Sequence, residues 1–315
     1  MMKNNRTKKP LKRLLCTAVI TEVMLLMGGC GEGAEGLGDA ASYETKKDDL
    51  KQAGLGAMAL LYDETVWTYD EEQASDASIV FRDRKESVLG ISCSKESYYQ
   101  HPLDMANTAK QIYSTFAGYE ETQAPVQVEV QGDNWYEWIC SYEEDGDKMI
   151  SLQRFYAENY YAYTMSYIAK EKDFEAGKNE ALKVMNSAVM SVPGNEEAEA
   201  KAREFLAGEW DLADAGYLVM NEDGTYAWYM DSSKDESNMH KGTYRGDVEN
   251  SAVGFAEGDG IYFVLFPEVL YTEGREGQTA AAKYDYLVNL NEQLPDGAYQ
   301  MINGSTFVLY YMTRQ

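Results

Sequence analysis

Histidine is nearly absent: the 315-residue chain has two, His101 and His240. Neither has a His or Cys partner at metal-ligand spacing, so the sequence offers no metal site. No Gly-x-Ser-x-Gly elbow, Walker loop or dinucleotide fingerprint occurs, and no cofactor is implied. Positive charge is also short, with 28 Lys and Arg against 53 Asp and Glu. Such a surface repels phosphate backbones, which argues against nucleic-acid binding. No apolar run is long enough to span a bilayer comfortably. Carboxylates are so numerous that counting them singles out no glycosidase-like pair. A carboxylate-dependent hydrolase therefore stays only as a remote alternative, and the chain is read as a non-enzyme.

The N-terminus is where the sequence is most explicit. Lys3, Arg6, Lys8, Lys9, Lys12 and Arg13 precede an apolar stretch from Leu14 to Met27, then Gly28, Gly29 and Cys30. Basic, apolar and small-residue regions in that order make an export signal. Met27-Gly28-Gly29-Cys30 resembles a bacterial lipobox, although Glu22 interrupts the apolar region and Met27 stands where Leu is usual. The resemblance implies cleavage after Gly29 and a diacylglyceryl group on Cys30. Each buried methylene adds about 0.8 kcal/mol of membrane affinity, so two acyl chains hold firmly where one holds weakly. The expected location is the extracytoplasmic face of a membrane, with lipid reached through Cys30. Removing residues 1–29 leaves 22 basic and 52 acidic residues, a net of −30. That charge mostly keeps a tethered body soluble.

Residues 30–52 read as a flexible tether of Gly, Ala and charge, reaching roughly 25 Å. Two domains are expected after it, 53–194 and 195–315. The first alternates strand patterns with two helices, one opening at Pro102-Leu103-Asp104 with Asp104 as its N-cap and one starting at Asp173. Its strands include Val126–Val130, Trp135–Tyr142, Met149–Tyr156 and Tyr160–Ile168, the aromatic runs at 135–138 and 160–163 falling on neighbouring strands. The element order and Trp67 resemble the Mog1/PsbP-like fold, which implies an antiparallel sheet with flanking helices and a binding or assembly role. Glu196–Leu206 reads as a short helical connector. The rest is strand and turn, with a hairpin about Asn221–Gly224. Gly208-Glu209-Trp210, the meander and Arg314 resemble a small lipocalin-like barrel. By that resemblance Trp210 plugs the closed end and Arg314 lies near it. The fold class is therefore α+β, a Mog1/PsbP-like antiparallel sheet followed by a small all-β lipocalin-like antiparallel barrel.

Tyrosine is abundant, 25 against 9 Phe, which suits strands and half-buried faces. Period two along Thr225–Met230 puts Tyr226, Trp228 and Met230 on the inward face. Tyr226, Trp228 and Tyr244 are the candidate ligand-facing residues, with core as the competing role for Trp228. The acidic loop Asp231–Asn238 lacks EF-hand spacing and reads as solvated. Cys93 and Cys140 are either a disulfide or two buried thiols, the second slightly preferred. The expected function is a non-catalytic binding module for a small molecule, glycan or peptide. An assembly or scaffold role on another envelope protein is the alternative.

Overall fold

A computed structural model describes residues 50–96, 99–248, 260–277 and 283–315. The signal segment, Cys30 and the tether up to residue 49 lie outside the described residues. The chain divides into two compact units, one with 102–193 and the chain before 97, the other with 97–101 and 194–315.

The first unit begins with a hairpin of β1 (Leu50–Leu55) and β2 (Met58–Asp63). Leu50–Gln52, assigned to the tether by composition, are strand, because Leu50 pairs with Asp63 and Gln52 with Leu61. Backbone pairing here overrides a charged, weakly apolar sequence. Then follow β3 (Thr68–Tyr69), β4 (Ser78–Arg82), β5 (Val88–Lys95) and α1 (Pro102–Tyr113). Next come β6 (Glu120–Val130), β7 (Asp133–Glu144), β8 (Asp147–Glu158) and β9 (Tyr161–Lys170). The unit ends with α2 (Glu171–Asn186) and β10 (Val189–Met190), which pairs with β2. Seven strands form an antiparallel sheet in the order β3-β4-β5-β9-β8-β7-β6.

Helices cover both faces of that sheet. Phe174, Ala181, Val184 and Met185 of α2 pack with Tyr163, Met165 and Tyr167 of β9. Met105, Ala106, Ala109 and Tyr113 of α1 pack with Trp138, Cys140 and Ile168 on the other face. Nine of the ten β9 positions are therefore buried, as in a strand covered on both sides. Trp135, Trp138, Tyr161 and Tyr163 are core, but β8 separates their strands, so they are not neighbours. The first helix opens at Pro102, which suits a first helical position, and Asp104 sits inside the first turn. β6 starts six residues before its apolar signal because Pro125 is tolerated on an edge strand, where the register shifts.

Cys93 and Cys140 are both free and buried. They belong to opposite faces of the sheet. Two strands lie between theirs, a separation of roughly 14 Å at the usual strand spacing. A bridge needs Cα atoms within about 7 Å. Burial pushes the Cys93 thiol up to about 11.

The second unit opens with α3 (Glu196–Leu206), β11 (Gly208–Asp211) and a 3-10 turn at Ala213–Ala215. Strands β12 (Tyr217–Met220), β13 (Thr225–Tyr229), β14 (Met239–Asp247) and β15 (Gly260–Thr272) follow. The last are β16 (Arg275–Gly277), β17 (Tyr284–Gln293), β18 (Tyr299–Asn303) and β19 (Leu309–Arg314). All but β16 close an antiparallel barrel in chain order, with β19 returning to β11 through Trp210 and Arg314. β16 folds back on the far part of β15. A bulge at Lys241/Gly242 bends β14. A Cβ on Gly242 would stand 2.0 Å from the Phe266 carbonyl oxygen, so only glycine fits.

Because the strands alternate in direction, their connections fall at two ends. α3 and the turns at 221–224 and 294–298 share one end, while those at 212–216, 231–238 and 304–308 share the other. The first end is closed. Ala202 and Leu206 of α3 join the barrel core, so this helix is a lid rather than a connector. Trp210 Nε1 donates to the Leu206 carbonyl at 2.7 Å. The Arg314 guanidinium lies 4.4 Å from the Trp210 ring centre. It also donates to the carbonyls of Ala207 and Phe205. The barrel end is thus sealed by an indole, a cation over its face and the last turn of a helix.

Candidate functional site

The opposite end of the barrel collects aromatic rings. β13 and β14 pair so that Trp228 faces His240, and both side chains enter the same interior. Their rings stack at 5.5 Å and 30°. The Tyr226 hydroxyl and His240 Nδ1 lie in hydrogen-bond contact at 2.9 Å. Tyr284 tilts over His240 at 5.7 Å. Tyr286 and Tyr310 meet Trp228 at 5.6 and 5.7 Å. Strand alternation explains this: Tyr284 and Tyr286 are two apart on β17, and Tyr310 points inward from β19.

The candidate residues divide between the two ends. Tyr226 and Trp228 lie in this aromatic group, but both are buried. Trp228 Nε1 is satisfied by the Ala215 carbonyl at 2.9 Å. Tyr244 is also buried, and its hydroxyl donates to the Asn221 carbonyl at 2.8 Å, toward the closed end. Met230, expected beside Trp228, lies past the end of β13 and is exposed. The members of the group that are only half-buried are His240, Tyr284 and Tyr310. Composition hides them, because their convergence depends on the β13–β14 and β17–β19 registers. The period-two pair Tyr284-Asp285-Tyr286 was the available signal.

The group is electrically quiet. Burial lowers the His240 pKa to about 4, so the ring is neutral at physiological pH. Burial raises Tyr226 and Tyr286, keeping both hydroxyls protonated. None of these three is poised near neutrality for proton transfer. Stacking and hydroxyl hydrogen bonds are what this arrangement offers a ligand. Among the described residues, no group of three or more His, Cys, Asp or Glu lies together as a metal site.

The first unit has a cavity of about 80 Å³, lined by Gln52, Ala59, Leu61, Gln131, Ser187 and Val189 among others. Ligand sites usually occupy about 300 Å³ or more, so this one is too small to be one. Among the described residues, no helix is long and apolar enough to cross a membrane.

No protein-family model matches the chain, and neither does any curated protein. Solved structures resemble it distantly. Cyanobacterial PsbP (CyanoP) from Synechocystis sp. PCC 6803 is 16% identical, over 53% of this chain and 99% of that one, with a TM-score of 0.35. A protein of unknown function from Pseudomonas aeruginosa is 11% identical over 46% and 99%, with a TM-score of 0.33. LpqN of Mycobacterium tuberculosis, described as involved in cell envelope biogenesis, is 9% identical over 46% and 80%, with a TM-score of 0.29. Likenesses of that strength carry no functional argument.

Proposed function

We propose that this protein is a lipid-anchored extracytoplasmic binding module, non-catalytic, whose working end is the open end of the C-terminal barrel. The observation that carries the reading is the contrast between the barrel's ends. One is sealed by Trp210, Arg314 and α3. The other presents half-buried His240, Tyr284 and Tyr310 above a buried Trp228. Since Tyr226, Trp228 and Tyr244 fill the interior themselves, the ligand is one held at the mouth. A planar, apolar or sugar-ring surface fits stacked rings of this kind. Anchorage rests on the N-terminal basic and apolar regions and Met27-Gly28-Gly29-Cys30.

Two measurements test the reading. Cys30→Ser should release the protein from the membrane fraction or leave the precursor uncleaved; full retention with normal processing contradicts the anchor. Glycans, peptides and amphiphiles can be screened by thermal shift on the parent and on Tyr310→Ser. A compound class that raises the parent melting temperature and loses that effect in the variant supports the mouth as the site. A class acting equally on both contradicts it, and a partner protein retained with no soluble ligand favours the scaffold alternative.

A further inference from the structure

The turn between β18 and β19 displays apolar side chains that the fold has no use for. Phe307 is 79% exposed, Val308 47%, Leu309 42% and Tyr311 43%. They lie at the open end of the barrel or on the outer face of β19 beside it. A contiguous apolar group of this kind on an exported, acidic protein marks a contact surface.

The turn is built to hold that display. Buried Asn303 organises it: its Oδ1 accepts from the Ser305 and Thr306 amides at 3.0 and 2.7 Å and from the Thr306 hydroxyl at 2.9 Å. The Phe307 amide donates to the Asn303 carbonyl at 2.9 Å. Phe307 itself sits at φ 58°, a conformation that a bulky side chain rarely adopts. A fixed turn presents its tip with little further ordering on contact.

Charge identifies the occupant. The chain is 26% charged, yet Gly297 to Thr313 runs for seventeen residues without a charged side chain. A protein partner is usually placed by charged and hydrogen-bonding groups around an apolar centre, and the hairpin itself brings no charge, the acidic loop at 231–238 standing across the barrel mouth from it. A lipid interface asks for the opposite: apolar residues to enter the acyl boundary and tyrosines at headgroup level. Tyr310 and Tyr311 stand immediately behind the apolar tip. The rest of the mature chain carries the net charge of −30 and is repelled by anionic headgroups, so the uncharged tip is where the body can approach.

We infer that the β18–β19 hairpin inserts into the interface of the bilayer that holds the anchor, bringing its own side of the barrel's open end to lipid while the acidic loop at 231–238, across the mouth, stays in water. This rests on the reading of a lipid-anchored chain that works through that end. The patch alone is too small for stable membrane binding. A diacyl anchor with a short tether changes the problem, because it keeps the body in a thin layer where local lipid concentration is high.

The test uses the mature lipidated chain on vesicles, with Val308→Cys carrying an environment-sensitive fluorophore. Cys93 and Cys140 are buried and leave the new thiol to be labelled. On phosphatidylcholine vesicles the fluorescence should rise at least twofold and be quenched by lipids brominated just below the headgroup. Adding Phe307→Asp and Leu309→Asp should abolish both effects while the protein stays on the vesicles. Including anionic phosphatidylglycerol should weaken the contact at low salt. An aqueous, unquenched probe on protein that remains anchored overturns the hairpin contact and leaves anchorage standing. Protein that fails to partition at all overturns anchorage. A rise that appears without vesicles and grows with protein concentration assigns the patch to a second copy instead.

Discussion

Trp228→Ala is the substitution with the most to say about the barrel. The indole is 5% exposed and joins the core cluster. It stacks on His240, meets Tyr286 and Tyr310, and donates to the Ala215 carbonyl. Truncating a buried Trp costs about 3–5 kcal/mol, because apolar contacts are lost and the cavity closes only partly. At about 4 °C per kcal/mol for a domain of this size, the barrel transition should fall by about 12–20 °C. Trp228→Phe keeps most of the apolar area and loses the indole hydrogen bond, so it should cost only about 1–2 kcal/mol. A second readout is local. The His240 pKa is held near 4 by burial, and removing the stacked indole admits water and moves it up toward 6.5. Scanning calorimetry on the whole chain gives the first quantity. Proton NMR of the imidazoles gives the second, with only two histidines to assign. A shift under about 3 °C together with an unmoved His240 titration would refute the placement of Trp228 in the core.

Three further outcomes follow from named contacts. His101 and His240 are both pushed to about 4, by burial and, for His101, also by Lys283. The unfolded chain binds those protons near 6.5, so the stability they contribute is full above that pH and disappears as pH falls toward 4. Urea midpoints should fall across that window, and His240→Asn should flatten part of the fall; an equal slope in both proteins would count against neutral burial. Native protein should leave Cys93 and Cys140 unalkylated, and unfolding without reductant should expose both; unlabelled unfolded protein would mean a disulfide. Arg314→Ala should cost about 1–2 kcal/mol, since the cation over Trp210 and the donors to two carbonyls go together. Arg314→Lys should recover only part of that in a melt, because an ammonium cannot both stack flat and reach both carbonyls.

What was legible in the sequence was what local pattern decides. The helix Glu196–Leu206 has its stated bounds, and the hairpin about Asn221–Gly224 is where its turn residues put it. Trp210 and Arg314 meet as the Gly-x-Trp likeness implied. Long-range register was not legible. Trp228 and His240 face each other across a loop of nine residues, and nothing in the composition sets that pairing. Met230 follows the alternation but not the strand: its amide donates to the Asn238 carbonyl as the chain turns away into the loop. β18 is not marked by local pattern, because Met301 and Ile302 are adjacent and break the expected alternation. The apolar tip looks like strand by composition, but Asn303 ties a turn there and β19 begins only at Leu309.

The claim that the open end of the barrel is the working end is tested most directly by photocrosslinking in cells. Benzoylphenylalanine in place of Tyr310 samples that end, and in place of Arg203 it samples the α3 end. Adducts are expected at position 310, whether with lipid, glycan or peptide, and none at 203. Equal adducts at both positions, or adducts at 203 alone, would contradict it.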